Sequence, residues 1–173
     1  SWSRGLGDVY KRQGILQRGG LLHDIGKIGI PNEILDKDGK LTDEERKIIQ
    51  DHPRLGVRIL EPIGAFTDVL RIVQQHHENY DGTGYPNKLS GEEISVYSRI
   101  FAVADRYEAL TTDRPYRKAI DSYEALKFIK ENSGIQFDPK VVEAFLNVLK
   151  NKHGVQLPSS DGRGSDFSAR SPK

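Results

Sequence analysis

"LLHDIGKIGIP", Leu21 to Pro31, sets two strongly polar side chains, His23 and Asp24, inside a run of apolar ones. A leucine would serve a packing face better, because a buried carboxylate without a partner costs roughly several kcal/mol. The pair is tolerable at the end of an apolar helix if both side chains face a shared cation. That reading asks for further nitrogen and oxygen ligands elsewhere in the chain.

Outward from this stretch, apolar residues recur at helical spacing and strand-like alternation is scarce, so the chain is expected to be all-α. Thr42 and Glu45 form a capping box ahead of "ERKIIQDH". Asp138 and Pro139 start "KVVEAFLNVLKNKHG", which stops at Gly154. Asp121 or Ser122 caps "YEALKFIKENSG", with Gly134 ending it. The spacing predicts helices over residues 14–24, 42–60, 66–78, 92–111, 122–132 and 139–152, with loops at "PNEILDKDGKL" and "NYDGTGYPNKLSG".

The two ends read differently. Residues 1–13, "SWSRGLGDVYKRQ", show no helical or strand period and look like a translated sequencing adapter, so they are expected to be a non-native leader. Residues 157–173 are rich in Ser, Gly, Asp and Arg and are expected to be a disordered tail. One domain over residues 14–156 remains, a size that supports a single core.

With 26 Lys+Arg against 25 Asp+Glu, nothing global favours a nucleic-acid polymer or an anionic membrane. No apolar stretch approaches the roughly 20 residues that cross a bilayer. The absence of cysteine removes thiolate ligands, thiol nucleophiles and disulfides together, and is compatible with a cytoplasmic location.

The missing ligands are present. His52, His76 and His77 lie in or beside the middle helices, and Asp105 sits in "RIFAVADRYEAL", where Ile100, Phe101, Val103, Ala104 and Leu110 imply burial. Arg106 points elsewhere on the helix. Each histidine alone reads as an ordinary core or surface residue, but together with His23, Asp24 and Asp105 they make the donor set of a multinuclear centre. On a helix His76 and His77 would lie about 100° apart, which suits two neighbouring ions better than one.

"HDIGKIGIP", the His52–Gly56 "HPRLG", "HHENYDGTGYP" (His76–Pro86), "RIFAVADRYEALTTDRPYRKA" (Arg99–Ala119) and "SGIQFDP" (Ser133–Pro139), in that order, resemble the HD-GYP family. These are bacterial metal-dependent phosphodiesterases of the HD superfamily acting on cyclic di-GMP. The resemblance implies an HD-superfamily helical bundle with its metal site between helices, and a product of linear pGpG with further cleavage to GMP. It implies two divalent ions, a third in some members, and iron or manganese rather than zinc.

Residue by residue, the resemblance makes His23, Asp24, His52, His76, His77 and Asp105 metal ligands, Asp24 the bridging carboxylate, and Lys27 the contact to the scissile phosphate. Arg114 and Arg117 match residues that grip the dinucleotide. Gly84, Tyr85 and Pro86 form the name-giving loop, which the family uses beside the site and toward partners such as diguanylate cyclases.

Simpler readings stay open: Lys27 as a helix-end cation, "DGTGYP" as a plain turn, Arg114 and Arg117 as surface charges. So do a non-catalytic sensor and a phosphohydrolase for another cyclic dinucleotide or nucleotide. The family's domain begins with at least one earlier helix, so the chain is expected to lack it and to expose Leu21 and Leu22, favouring a homodimer. A receiver or sensor domain is expected before residue 14 in the full-length protein.

Overall fold

The computed structural model describes residues 2–114 and 118–153, with side chains described from residue 10 to residue 151. Arg117, Gly154 and the expected tail at 157–173 lie outside the described residues. Eight α-helices are present among those residues: α1 (Trp2–Leu22), α2 (Asn32–Leu35), α3 (Asp43–Gln50), α4 (His52–Leu60), α5 (Leu70–Gln75), α6 (Val96–Thr111), α7 (Ser122–Glu131) and α8 (Pro139–His153). A 3-10 turn over Ile25–Gly29 follows α1. Two isolated β-bridges pair Asp81 with Ser90 and Ser133 with Phe137.

The local signals act as expected at several ends. Thr42 caps α3 with both bonds of the capping box, Asp121 caps α7 through the Tyr123 N–H, and Asp138 accepts the Lys140 N–H at the start of α8.

Several boundaries differ from the sequence expectation: the short α2 lies in the stretch expected to be a loop, and α6 begins at Val96 rather than residue 92, after Ser95. Helix α1 begins at Trp2 rather than residue 14, since residues 2–22 contain no proline to stop it. The single helix expected over 42–60 is broken at Asp51. Pro53 lacks an N–H and its ring crowds the carbonyl four residues back, so it opens a new helix as α4 instead of continuing α3. The helix expected over 66–78 is only Leu70–Gln75, so His76 and His77 lie just past its end and not on a helical face.

Two apolar clusters meet along α6. Ile15 of α1, Val69, Ile72 of α5 and Phe101 form one; Val103, Ile129 of α7, Phe137 and Val142 of α8 form the other. Backbones approach closely where α1 crosses α5: a Cβ on Gly19 would lie 2.5 Å from the Ile72 side chain. The buried pair Arg99–Asp138 ties α6 to the start of α8. Leu21 is 85% exposed, as expected, whereas Leu22 packs on the first cluster. No helix among the described residues is long and apolar enough to cross a membrane.

Candidate metal centre

Three histidines occupy the same local position. The last four carbonyls of an α-helix have no intrahelical partner, and His23, His52 and His76 each stand one or two residues beyond a helix end and use one. His23 Nδ1–H donates to the Gly20 carbonyl at 2.7 Å, His52 to Ile49 at 2.8 Å and His76 to Val73 at 2.9 Å. For His52 the break at Pro53 is the cause, because a proline at 53 offers the Ile49 carbonyl no N–H. A carbonyl can only accept, so the proton sits on Nδ1 in all three rings and Nε2 faces inward.

The inward atoms converge on Asp24. Its Oδ1 lies 3.2 Å from His52 Nε2 and 3.8 Å from His76 Nε2. Its Oδ2 lies 3.3 Å from His23 Nε2 and 2.8 Å from Lys27 Nζ. Asp105 Oδ1 is 3.9 Å from His23 Nε2, on the Oδ2 side. One donor atom each from Asp24, His52, His76 and His77 lies within 4.8 Å of all the others. The six expected ligands thus occupy one place, four in a tight group and His23 with Asp105 beside it.

The chemistry of this group suits a cation. Asp24 Oδ1 is buried without a hydrogen-bond partner, and His52 Nε2 and His76 Nε2 are 3.1 Å apart. Lone pairs on a carboxylate and two imidazoles therefore face one another with no proton donor between them. Imidazole and carboxylate without thiolate accept several divalent first-row ions, and a backbone carbonyl on the far nitrogen is the usual support of a ligating histidine.

The ionisation states follow. Burial pushes His76 down to about 3, helped by neighbouring His23 and His52, and lowers His77 well below the usual range for the same reason. Both are neutral donors at neutral pH. Burial alone would raise the Asp24 carboxyl, but the His23 ring and the Lys27 ammonium beside Oδ2 hold it well below the usual carboxylate range. Burial would lower His23, but the Asp24 carboxylate outweighs it and raises the ring. Asp105 is raised by burial and by Asp24. It is half-buried rather than buried. Arg106 does point away, its guanidinium over the Phe128 ring.

The Gly84–Pro86 loop forms one wall. Tyr85 stacks on His77 with ring centroids 4.7 Å apart and planes 23° from parallel, and its N–H donates to the His77 carbonyl. Gly84 is required because a Cβ there would lie 2.3 Å from the Asn79 nitrogen. Arg114 stands outside the group, 3.4 Å from Glu108, with its charge still felt by Asp105.

Sequence reasoning missed three supports. Phe101 packs against the His23 ring at 5.1 Å. Gly26 lets the turn after Asp24 press on α4, where a Cβ would lie 1.9 Å from the His52 carbonyl oxygen. Glu78 accepts two backbone N–H groups. Only a glycine inside "HDIG" and a glutamate beside two histidines hinted at the last two.

The family model described as HD domain matches residues 8–141, beginning within the stretch read as a leader. A 3'3'-cGAMP-specific phosphodiesterase 3 of Vibrio cholerae is 42% identical over 151 residues, 86% of this chain and 33% of its own length. A cyclic di-GMP phosphodiesterase of the same organism is 45% identical over 78% of this chain and 29% of its own. One from Thermotoga maritima is 39% identical over 96% of this chain and 45% of its own. The chain therefore spans about a third to under half of these relatives. The crystal structure of a cyclic GMP-AMP specific phosphodiesterase of V. cholerae superposes with a TM-score of 0.59 at 22% identity, over 80% of this chain and 38% of that one, a likeness of fold.

Proposed function

The chain belongs to the HD domain family, in its HD-GYP branch, and on that premise we propose that it hydrolyses cyclic di-GMP to linear pGpG, and onward to GMP, with two divalent ions, iron or manganese. The observation that carries the reading is the two-sided carboxylate of Asp24, with Oδ1 toward His52 and His76 and Oδ2 toward His23. His52, His76, His77 and Oδ1 would hold one ion; His23, Asp105 and Oδ2 the other. When bound, such cations acidify water and screen the phosphodiester charge.

The chain's own groups supply the rest. Lys27, held 2.8 Å from Asp24, is placed at the rim where its ammonium meets a phosphate oxygen and stabilises charge as the P–O3′ bond breaks. Asp24 keeps that ammonium oriented while staying ionised. Phe101 and Tyr85 flank the imidazoles and limit water to the open side. Arg114 and Arg117 grip the dinucleotide, Arg through its fork of N–H donors. Because Tyr85 is stacked inward, the exposed Asn87 and Lys88 are the loop's outward face toward a signalling partner.

A second substrate reading, the hybrid 3'3'-cGAMP, is favoured by the name of the relative at 42% identity. The test is incubation of manganese- or iron-loaded protein with each cyclic dinucleotide, chromatography of the products, and the same with Asp24→Ala. A linear dinucleotide from the parent and none from the variant is expected. Turnover that survives in Asp24→Ala contradicts the proposal, and binding of the nucleotide without turnover by the parent favours a sensor.

A further inference from the structure

Glu78 follows the two histidines directly and is only 3% exposed, yet its carboxylate bonds to the loop and is not among the grouped metal donors. Oε1 accepts the Asn87 N–H at 2.7 Å and Oε2 the Leu89 N–H at 3.1 Å. A buried carboxylate is kept only where its charge is met by donors, and here the donors are the backbone on the far side of the Gly84–Pro86 turn. Between them Lys88 takes φ +56, the left-handed region that residues with a Cβ rarely enter. The arc does not hold this shape from its own preferences.

The loop is fixed separately at its base. Tyr80 N–H and Asp81 N–H donate to the Gln136 and Ile135 carbonyls, so "SGIQFDP" anchors the near end. The far end, beyond Tyr85, has Arg54 on the Pro86 carbonyl at the surface and Glu78 inside. Loss of the Glu78 bonds therefore loosens the arc between Tyr85, held by its N–H on the His77 carbonyl, and Ser90, held by its bridge to Asp81, and leaves the base in place.

We propose that Glu78 is a positioning residue, a latch that holds residues 85–90 so that Tyr85 stays stacked on His77 and the His77 ring stays aimed at the Asp24 group. The idea deepens the metal reading above and rests on it only for the consequence at the metal. Because each oxygen serves a different N–H, glutamine is a sharp probe: it fills the same volume, accepts one bond, and turns an amide N–H₂ against the other donor.

The experiment compares parent and Glu78→Gln by amide hydrogen exchange of the metal-free proteins and by calorimetric titration with Mn2+. Faster exchange confined to residues 85–90, with α6 protected as before, and Mn2+ binding weakened about tenfold are expected, the scale on which supports of metal ligands act. Unchanged exchange at 85–90 overturns the latch. So does exchange that rises equally through α6, which would make Glu78 a residue of general stability, and so does Mn2+ affinity within twofold of the parent. A parent that takes up no Mn2+ defeats the metal reading instead, and the exchange result then decides the latch alone.

Discussion

The Nε2 atoms of His52 and His76 face each other 3.1 Å apart while both Nδ1 protons are committed to backbone carbonyls. Two lone pairs at that distance repel, and the buried Asp24 oxygen beside them adds a third. A shared cation would convert all three into ligands. Mn2+ at 100 times its dissociation constant is therefore expected to stabilise the protein by about 2.7 kcal/mol. Thermal unfolding after chelator treatment, with and without added Mn2+, checks this; an unmoved midpoint counts against it.

Acid sensitivity of the metal-free protein follows from the depressed histidines. His76, near 3 in the folded chain, and His77, well below normal, are neutral when folded and take up protons near 6.5 when unfolded. The unfolded state binds more protons in that interval, so stability is lost as pH falls below 6.5 toward 3. Each group contributes up to about 1.4 kcal/mol per pH unit there. His23, raised, contributes a constant amount below its unfolded value, and the shifted carboxylates Glu45, Glu93, Asp24 and Asp105 change protonation nearer 4, so urea midpoints at pH 6 and pH 5 read chiefly the pair. Equal midpoints would refute the burial argument.

Gly26→Ala places a Cβ where the His52 carbonyl oxygen stands, 1.9 Å away. The turn carrying Asp24 and the first turn of α4 must then separate, and overpacking against backbone has no flexible side chain to absorb it. A loss of at least about 3 kcal/mol is expected in urea unfolding. A loss under about 1 kcal/mol would show that this contact is softer than its geometry implies.

Lys27→Ala removes a rim charge and leaves the imidazoles alone. The expected result is a fall in kcat of about 10²–10³-fold with Mn2+ binding kept, read by steady-state kinetics and calorimetry together. Loss of Mn2+ binding would instead make Lys27 a support of Asp24.

Much of this was legible in the sequence where the determinant is local. Thr42 with Glu45, and Asp138 with Pro139, act through neighbours three or fewer residues away, so their helix ends fall as read. Pro53 was a local signal too, but apolar spacing on both sides of it suggested one helix and hid the break. The six expected donor residues were visible in the sequence as residue types, and the structure brings their side chains together. The histidine tautomers were not legible, since each depends on which carbonyl a helix end leaves free. The stack of Tyr85 on His77, the fit of Gly26 under His52 and the return of Glu78 to residues 87 and 89 depend on chain crossings that spacing does not encode. Arg114 lies 3.4 Å from Glu108, outside the tight donor group.

Anomalous diffraction from crystals grown with Mn2+ tests the metal centre most directly. The expected map has two peaks sharing the Asp24 carboxylate, one among His52, His76 and His77 and one beside His23 and Asp105. Density with no anomalous peak in contact with Asp24 would contradict it.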